Sequence, residues 1–304
     1  MKRRNFFKTG LLGASATLMA SPFDLVGQSK IQGANFKLNY APHFGMFKNS
    51  APNGEMNELD FMHEAGFRAI EDNEMRNRSV DFQNQFAARM QKHNMTMGVF
   101  VAHSIFWTEP NLASGKKDWR DQFLKEIRSS VEVAKRVNAK WMTVVPGHVD
   151  LRKDMGYQTA NVVESLKQAA DILEPHGIVM VLEPLNFRDH PGLFLTKSSQ
   201  AYEICKAVDS PSCKILFDIY HQQIQEGNLI PNIDLSWDEI AYFQVGDNPG
   251  RKEPTTGEIN YKNVFGHIHS KGFTGVVGME HGNSIGGVEG EKAVIAAYKA
   301  SDSF

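Results

Sequence analysis

The sequence predicts an α/β fold, a single-domain (β/α)8 TIM barrel, and two observations support this prediction. Eight compact apolar runs suited to buried parallel strands follow one another along the chain: 36–40, 69–71, 95–101, 141–145, 178–182, 214–217, 240–245 and 275–279. Helical patterns separate them, at 56–65, 82–93, 119–137, 161–176, 199–208, 261–270 and 289–300. Such alternation indicates parallel strands with right-handed crossovers. Eight units over about 270 residues fit a closed barrel better than an open doubly wound sheet, which remains the alternative.

The segment 119–137 illustrates the helical pattern. Phe123, Ile127, Val131 and Ala134 recur at steps of three and four residues, which places them on one face of a helix. After the fourth such segment, Gly177 stands where a helix would end before the next strand. The first strand is not followed by a GxGxxG motif, so a dinucleotide-binding fold lacks its usual sequence support.

The N-terminus reads as a targeting segment and not as part of the fold. Arg3 and Arg4 open a run, Arg-Arg-Asn-Phe-Phe-Lys, that resembles a twin-arginine signal, and the apolar stretch at 11–20 is too short for an ordinary membrane anchor. We therefore expect residues 1–30 to be a signal peptide with a short linker and residues 31–304 to form the barrel. The expected location is periplasmic, with no stable membrane anchor once the signal is removed. An amphipathic N-terminal helix is the alternative.

Composition limits the classes of function. The chain has 304 residues, of which 41% are hydrophobic and 22% charged, which are ordinary values for a globular protein. Its net charge of -2 argues against a nucleic-acid partner, because a binder of the phosphate backbone is usually basic. Cys205 and Cys213 are expected to be unpaired thiols, with a disulfide left open, and their spacing does not suit a structural zinc site.

Four late strand ends each deliver an oxygen-bearing side chain. They are Glu183, Asp218, Gln244 and Glu280. The carboxyl ends of barrel strands form the active-site face, and neighbouring strands lie about 4.8 Å apart, so these side chains are expected to share one small pocket. Three carboxylates there would repel one another without a cation, and an all-oxygen site suits Mg²⁺ or Mn²⁺. The alternative is that each acid only caps a nearby helix.

Three segments carry a resemblance to a known family. They are Glu-Pro-Leu-Asn at 183–186, Phe-Asp-Ile-Tyr-His at 217–221, and the long run at 244–261 that contains Asn-Pro-Gly-Arg and Thr-Gly-Glu-Ile-Asn-Tyr. With Gly-Met-Glu at 278–280, they resemble the hydroxypyruvate isomerases. More broadly, the chain is similar to the xylose isomerase-like superfamily of sugar isomerases and epimerases.

The resemblance implies a divalent ion, Mg²⁺ or Mn²⁺, held by Glu183, Asp218, Gln244 and Glu280. It also implies that Glu183 and Glu280 are the catalytic acid/base pair and that His221 and Arg251 hold substrate oxygens. Two features depart from the pattern. Lys252 stands where these isomerases commonly carry His, and an export signal is unexpected for an enzyme that acts on cytoplasmic hydroxypyruvate.

The activity expected from the resemblance is isomerisation through a metal-stabilised enediolate. A proton would move between carbons next to the carbonyl of a small hydroxy-keto acid or sugar, so the expected partner is a small hydroxy-carbonyl substrate. A ketose 3-epimerase and a keto-inositol dehydratase would use the same site. A nuclease acting at abasic sites and a non-catalytic exported carbohydrate-binding barrel are alternatives from other classes. Homo-oligomerisation is left open by the sequence.

Other polar and aromatic residues follow the first four strands. His43, His103 and His148 follow strands one, three and four, where they would either line the mouth of the barrel or belong to plain loops. Phe106 and Trp107 would form either an apolar wall against a sugar or part of the packing.

Overall fold

The structure is a computed structural model that describes residues 35–304. The predicted signal segment, residues 1–30, lies outside the described residues. All eight predicted strands are present: β1 Asn39–Ala41, β2 Ala69–Ile70, β3 Thr96–Met97, β4 Trp141–Val144, β5 Val179–Leu182, β6 Cys213–Asp218, β7 Ile240–Gln244 and β8 Val276–Gly278. The third is much shorter than its apolar run, because beyond Met97 the regular strand pairing is replaced by an isolated bridge at Val101.

The helices are α1 Glu55–Ala65, α2 Val80–His93, α3 Lys117–Val137, α4 Met155–Leu173, α5 Ser198–Val208, α6 Ile219–Gln225, α7 Leu229–Ser236, α8 Tyr261–Ser270 and α9 Gly287–Ser301. The seven predicted helices are confirmed, although α4 begins earlier than predicted. A 3₁₀ turn, Glu174–His176, follows it and ends at Gly177 in the left-handed conformation, as the sequence indicated. The two helices α6 and α7 were not predicted. Both are short, and a short helix shows little periodicity.

The strands close into a parallel barrel, which confirms the predicted fold class. Six strands pair in the order β1-β8-β7-β6-β5-β4, and β2 pairs with β3. The remaining two junctions are made by isolated bridges, between His43 and Glu71 and between Val101 and Thr143. At the second junction the backbone N–H of Thr143 donates to the carbonyl of Phe100 at 2.8 Å. The ring of strands is therefore continuous.

Side chains from all around the ring fill the barrel interior. They form one buried cluster: Ala41, Ala69, Val99, Trp141, Val179, Val181, Leu216, Tyr242 and Val276. The small Ala41 and Ala69 leave room for the large rings of Trp141 and Tyr242, whose centroids lie 5.8 Å apart. Burying each large apolar side chain contributes about 1.5–3 kcal/mol to the free energy of unfolding.

The helices bury one face each against the barrel. In α3 the predicted apolar face is buried, including Phe123, Ile127 and Val131. Within residues 35–304, none of the helices combines the length and apolarity that crossing a bilayer would need. Cys205 and Cys213 are both buried and free, as expected. The hydrogen bond between the two thiols, followed by burial, raises the pKa of Cys205.

Candidate active site

The register of the sheet brings the four late strand ends to one level. Asp218 lies directly opposite Gln244, and Gln244 lies opposite Gly278, two residues before Glu280. Glu183 follows the last residue of β5, and its backbone N–H donates to Val144 on the neighbouring strand at 3.4 Å. Parallel pairing thus places the polar residues together, because each ends or follows a strand that terminates at the same face of the barrel.

Three of these carboxylates and one histidine form a single cluster. One ligand atom each from Glu183, Asp218, His221 and Glu280 lies within 4.8 Å of the others, a grouping that could hold a metal ion. Asp218 and His221 are fully buried, and the Glu280 side chain is 25% exposed. The cluster therefore opens to solvent at Glu280.

Arg251 lies across this cluster. Its Nη2 donates to Oε2 of Glu280 and, at 3.3 Å, to Oδ2 of Asp218, while its Nε donates to the backbone carbonyl of Glu280 at 3.2 Å. Its backbone is in the left-handed region, with φ of 50°. The sequence resemblance implied that Arg251 holds substrate; here its guanidinium neutralises two of the expected metal ligands.

The crowding of acids changes their proton affinity. Burial, followed by the charges of Glu280 and Asp218, raises the pKa of Glu183 well above its usual range. Burial also raises the pKa of Asp218, although the Arg251 guanidinium opposes this shift. The pKa of Arg251 is itself raised, because the charges of Glu280 and Asp218 outweigh its burial. These directions are the ones expected of carboxylates that are buried close to one another.

Asp218 caps a helix with one carboxylate oxygen and faces the cluster with the other. Its Oδ1 accepts hydrogen bonds from the backbone N–H groups of Tyr220, at 2.8 Å, and His221, at 3.3 Å, and so caps α6. Its Oδ2 faces the cluster and Arg251. The capping interpretation and the ligand interpretation are therefore compatible for this residue.

The ring of His221 is held in one tautomer by Asn186. The backbone N–H of Asn186 and its side-chain Nδ2 approach His221 Nδ1, at 3.3 and 2.7 Å. The Asn186 amide is itself fixed, because its Oδ1 accepts from the backbone of Arg188 and Asp189. With two donors on Nδ1, the proton of the neutral ring lies on Nε2. Burial lowers the pKa of His221 to about 3, so the ring is neutral at physiological pH.

This tautomer decides what His221 offers to the cluster. Its Nε2 lies 3.6 Å from Oδ2 of Asp218 and 4.0 Å from Oε1 of Glu183. Among the described residues it has no hydrogen-bond partner. An Nε2 that carries a proton donates a hydrogen bond and does not coordinate a cation. The geometry therefore favours a substrate-binding role for His221 over a place among the metal ligands.

Gln244 supplies a test of whether the site fits a divalent ion. Its Oε1 is buried and, within the part of the chain that the structure describes, has no hydrogen-bond partner. A buried amide oxygen without a partner is costly, since such atoms are nearly always satisfied. Together with the carboxylates of Glu183, Asp218 and Glu280, it completes an all-oxygen donor set of the kind that Mg²⁺ and Mn²⁺ prefer. The residues present therefore fit such an ion.

A cavity of about 560 Å³ opens beside the cluster, on the side of the first two strands. Its walls include His43, Glu71, Asn73, Arg78 and Glu280. Asn73 Nδ2 donates to Oε1 of Glu280 at 3.0 Å, which ties the cavity wall to the acid cluster. Glu280 thus lies between the cavity and the buried carboxylates.

Three residues of this site were not predicted from the sequence: Glu71, Asn73 and Tyr242. Glu71 is completely buried, and burial and the charge of Glu280 raise its pKa well above the usual range. It follows β2 just as Glu183 follows β5, so reading the early strand ends as the late ones were read would have found it. Tyr242 lies inside β7 and carried no such signal.

The three early histidines take different positions. His43 lines the cavity, and its Nε2 contacts the carbonyl of His281 at 3.0 Å. His103 is buried: its Nδ1 donates to the carbonyl of Ser104 at 2.9 Å, and its Nε2 accepts from Val145 N–H at 3.3 Å. His148 is half-buried, and its Nδ1 contacts the carbonyl of Val149 at 2.8 Å. Only His43 reaches the cavity beside the cluster.

The two aromatic residues after β3 also differ. Trp107 is 47% exposed and stacks on His190, with centroids 4.9 Å apart. The ring centroid of His190 lies 5.4 Å from that of His221. The rings of Trp107, His190 and His221 therefore form a row between the surface and the acid cluster. Phe106 packs on Trp119 at 4.6 Å, as part of the packing.

Comparison with known proteins places the chain in a family. A family model described as xylose isomerase-like TIM barrel matches residues 59–300. The chain belongs to this family. Among curated relatives, this xylose isomerase-like chain is 34% identical over 196 residues to the hydroxypyruvate isomerase of Escherichia coli (strain K12), across 60% of this chain and 75% of that protein.

Two further matches extend the comparison. The 2-oxo-tetronate isomerase of Cupriavidus necator is 29% identical over 198 residues, across 65% of this chain and 76% of that protein. A solved structure described as an AP endonuclease, family 2, from Brucella melitensis superposes with a TM-score of 0.73 at 26% identity. It covers 86% of this chain and 99% of that one, which shows that the barrel is shared over nearly the whole described length.

Proposed function

We propose that this chain is a divalent-metal-dependent isomerase of the hydroxypyruvate isomerase type. Its substrate would be a small hydroxy-keto acid or sugar, and a proton would move between carbons next to the carbonyl. The observation that carries this proposal is the cluster of Glu183, Asp218 and Glu280, with ligand atoms within 4.8 Å, together with the buried Oε1 of Gln244, which has no hydrogen-bond partner within residues 35–304. The relatives named hydroxypyruvate isomerase and 2-oxo-tetronate isomerase support it.

The residues of the site would have three roles: metal binding, proton transfer and substrate binding. Glu183, Asp218, Gln244 and Glu280 would hold the ion. A bound divalent ion polarises a substrate carbonyl and stabilises developing negative charge. Glu183 and Glu280 would remove and return the carbon-bound proton, and the proton affinity of Glu183, raised by burial, suits such an exchange. His221 would donate from Nε2 to a substrate oxygen, and Arg251 would turn from Glu280 to bind a substrate oxygen or carboxylate.

A ketose 3-epimerase or a keto-inositol dehydratase is the second candidate. Two carboxylates, Glu183 and Glu280, reach the same small space, so a proton removed on one side of a carbon can be returned on the other. Both activities would use the same metal ligands. An epimerase would return the proton to the same carbon from the opposite side, whereas a dehydratase would remove the proton and release the hydroxyl of the neighbouring carbon as water. The isomerase is favoured because Gln244 and the run at 247–261 resemble the hydroxypyruvate isomerases more closely.

Functions from other classes have less support. The Brucella melitensis structure is described as an endonuclease, but a net charge of -2 gives this chain little attraction for nucleic acid. Within residues 35–304, a single group of His, Cys, Asp and Glu side chains is arranged to hold a metal. A binding protein without catalysis would not need two acids, Glu183 and Glu280, at one site.

The test combines metal analysis with proton exchange. We expect the purified protein to bind Mn²⁺ or Mg²⁺ stoichiometrically and, in D₂O, to exchange a carbon-bound proton of hydroxypyruvate, a small ketose or a keto-sugar, followed by proton NMR. Exchange at the neighbouring carbon identifies an isomerase, and exchange with inversion at one carbon identifies an epimerase. No ion bound and no exchange across the whole panel would overturn the proposal.

Substitution of the two acids tests their roles. Glu183→Gln and Glu280→Gln each keep the side-chain shape but remove the proton acceptor, so turnover should fall about 10²–10⁴-fold or more. Glu203→Gln, an exposed carboxylate on α5, is the matched control and should keep wild-type turnover. Wild-type turnover in either of the first two variants, with folding checked by circular dichroism, would contradict the acid/base assignment.

We also propose that the protein is exported to the periplasm through the twin-arginine route. The support is the Arg3-Arg4 run at the start of the sequence. Replacing both arginines by lysine should retain the protein in the cytoplasm of a bacterium that has this pathway, as measured by cell fractionation. Unchanged periplasmic accumulation would count against the route.

A further inference from the structure

The carboxylate of Glu71 contacts the side-chain amide of Gln244, a proposed metal ligand. Glu71 is buried and directly follows β2, which lies across the barrel from β6. Its Oε2 accepts a hydrogen bond from the hydroxyl of Tyr242 at 3.0 Å. The side-chain Nε2 of Gln244 lies 3.5 Å from its Oε1 and 3.4 Å from its Oε2. The amide hydrogens of Gln244 thus face the two oxygens of one carboxylate.

The surrounding backbone is shaped to admit this group. A Cβ on Gly278 would lie 2.0 Å from Oε2 of Glu71. A Cβ on Gly98 would lie 2.3 Å from the hydroxyl of Tyr242 and 3.1 Å from the Cβ of Glu71. Two glycines on opposite sides of the pair therefore provide the space that the Glu71 carboxylate and the Tyr242 hydroxyl occupy. Any larger residue at Gly278 would displace the carboxylate from Gln244.

This contact decides which way the Gln244 amide points. Contacts of 3.4 and 3.5 Å are long for a hydrogen bond, but the reversed amide would set its oxygen against both oxygens of the Glu71 carboxylate. The donors of Tyr242 and Gln244 favour the ionised form of this carboxylate against the burial that raises its pKa. The observed orientation leaves Oε1 without a partner among the described residues, so it is free to serve as a ligand. The reversed orientation would offer an NH₂ group, which repels a cation.

We propose that Glu71 is a positioning residue that orients the Gln244 amide so that its oxygen faces the metal site. Tyr242 assists by holding the Glu71 carboxylate, and Gly278 and Gly98 assist by leaving it space. The inference rests on the proposed function, since it assumes that Gln244 is a ligand of a divalent ion. Among the proposed ligands, Glu71 makes its hydrogen-bond contacts with Gln244, while its charge also acts on Glu280 and Glu183.

Variants at Glu71 separate orientation from charge. Glu71→Asp keeps the negative charge but draws the carboxylate back by one methylene, away from Gln244. Glu71→Gln removes the charge and supplies an NH₂ group, which allows the Gln244 amide to reverse. Both should weaken Mn²⁺ binding by about 10–100-fold, the usual effect of losing a partner of a ligand. The readout is the Mn²⁺ dissociation constant of the purified full chain by calorimetry.

A double variant provides the rescue. In Glu71→Gln with Gln244→Glu, the new carboxylate at 244 offers an oxygen in either orientation, and the amide at 71 donates to it. Mn²⁺ affinity should return to within a few-fold of wild type. Glu74→Asp, an exposed carboxylate three residues along the chain, is the matched control and should bind as wild type does. Circular dichroism checks that each variant is folded.

The outcomes separate this inference from the proposed function. Weak binding in both single variants, with rescue in the double variant, supports the positioning role. Wild-type affinity in Glu71→Asp overturns it, because the charge alone would then account for any effect of Glu71→Gln. A double variant that binds no better than Glu71→Gln also overturns it. A wild-type protein that binds no Mn²⁺ overturns the metal-dependent function itself, and the inference with it.

Discussion

At the scale of single residues, two buried histidines show how hydrogen bonds assign different roles to the same side chain. His221 has its Nδ1 occupied by Asn186 and its Nε2 free among the described residues, so it has a donor to offer a substrate. His103 has both ring nitrogens occupied, by the carbonyl of Ser104 and the N–H of Val145. His103 therefore has a structural role, because neither ring nitrogen is available to bind a substrate or transfer a proton.

His103 should make the stability of the protein depend on pH. Burial lowers its pKa to about 4. Below pH 6.5 the unfolded chain takes up a proton that the folded chain refuses, so stability is full above that pH and is lost as the pH falls from 6.5 toward 4. At pH 5 the loss should be about 2 kcal/mol. Urea unfolding of wild type and His103→Gln at pH 7.5 and 5 measures the difference.

The matched control is His176→Gln, at an exposed histidine before Gly177. It should lose stability between the two pH values as wild type does. If His103→Gln loses as much as wild type over the same interval, the burial of the neutral ring is not the source of the pH dependence.

At the scale of elements, the last helix holds the first loop. Glu291 of α9 is buried, and its carboxylate accepts hydrogen bonds from the backbone N–H groups of Asn49 and Ser50, both at 2.7 Å, and from both side chains. This loop joins β1 to α1, and its neighbour Lys48 lines the cavity beside Glu280. The anchoring contact thus links the end of the chain to the wall of the candidate site.

Removing this anchor should destabilise the protein. Glu291→Ala removes the buried charged acceptor of the part-buried donors of Asn49 and Ser50, at a cost of about 2 kcal/mol. Thermal unfolding measures the loss. Glu289→Ala on the same helix is the control: its salt bridge to Lys292 is exposed and should contribute less than about 1 kcal/mol. Equal losses in the two variants would contradict a specific anchoring role.

At the scale of the whole molecule, the barrel is closed where the two ends of the described chain meet. β1 pairs with β8 from Asn39 opposite Val276 to Ala41 opposite Gly278. Asp302, after α9, reinforces this seam: its Oδ2 accepts from the backbone N–H of Lys37 at 2.7 Å and its Oδ1 from the hydroxyl of Tyr40 at 2.8 Å. Closure therefore depends on the last helix as well as on strand pairing.

Removing the hydrogen bonds of Asp302 should destabilise β1 more than the rest of the barrel. Asp302→Ala leaves the buried hydroxyl of Tyr40 without an acceptor, and we expect a loss of about 2 kcal/mol in the free energy of unfolding. Hydrogen exchange should rise most at β1 and β8. Asp171→Ala, on the exposed face of α4, is the control and should change neither quantity. Exchange that rises uniformly over the chain would contradict a local seam.

The sequence by itself determined the barrel and most of the acids of its site. The eight strands could be predicted because buried parallel strands are compact apolar runs, a property that lies within a few neighbouring residues. Four polar residues could be named because they lie at the ends of strands that must terminate at one face: Glu183, Asp218, Gln244 and Glu280. The short helices α6 and α7 escaped prediction, since seven or eight residues carry too little periodicity.

The tertiary structure alone decided the contacts between distant residues. Arg251 lies on Asp218, 33 positions away, and Asn186 fixes the tautomer of His221 from 35 positions away. Glu71 reaches Gln244 across 173 positions, through space that Gly98 and Gly278 leave open. Such contacts depend on where closure of the barrel places whole strands and on the volume between them. Periodicity along the chain contains no information about either. The four candidate ligands could therefore be named from the sequence, while the contact between Glu71 and Gln244 could not.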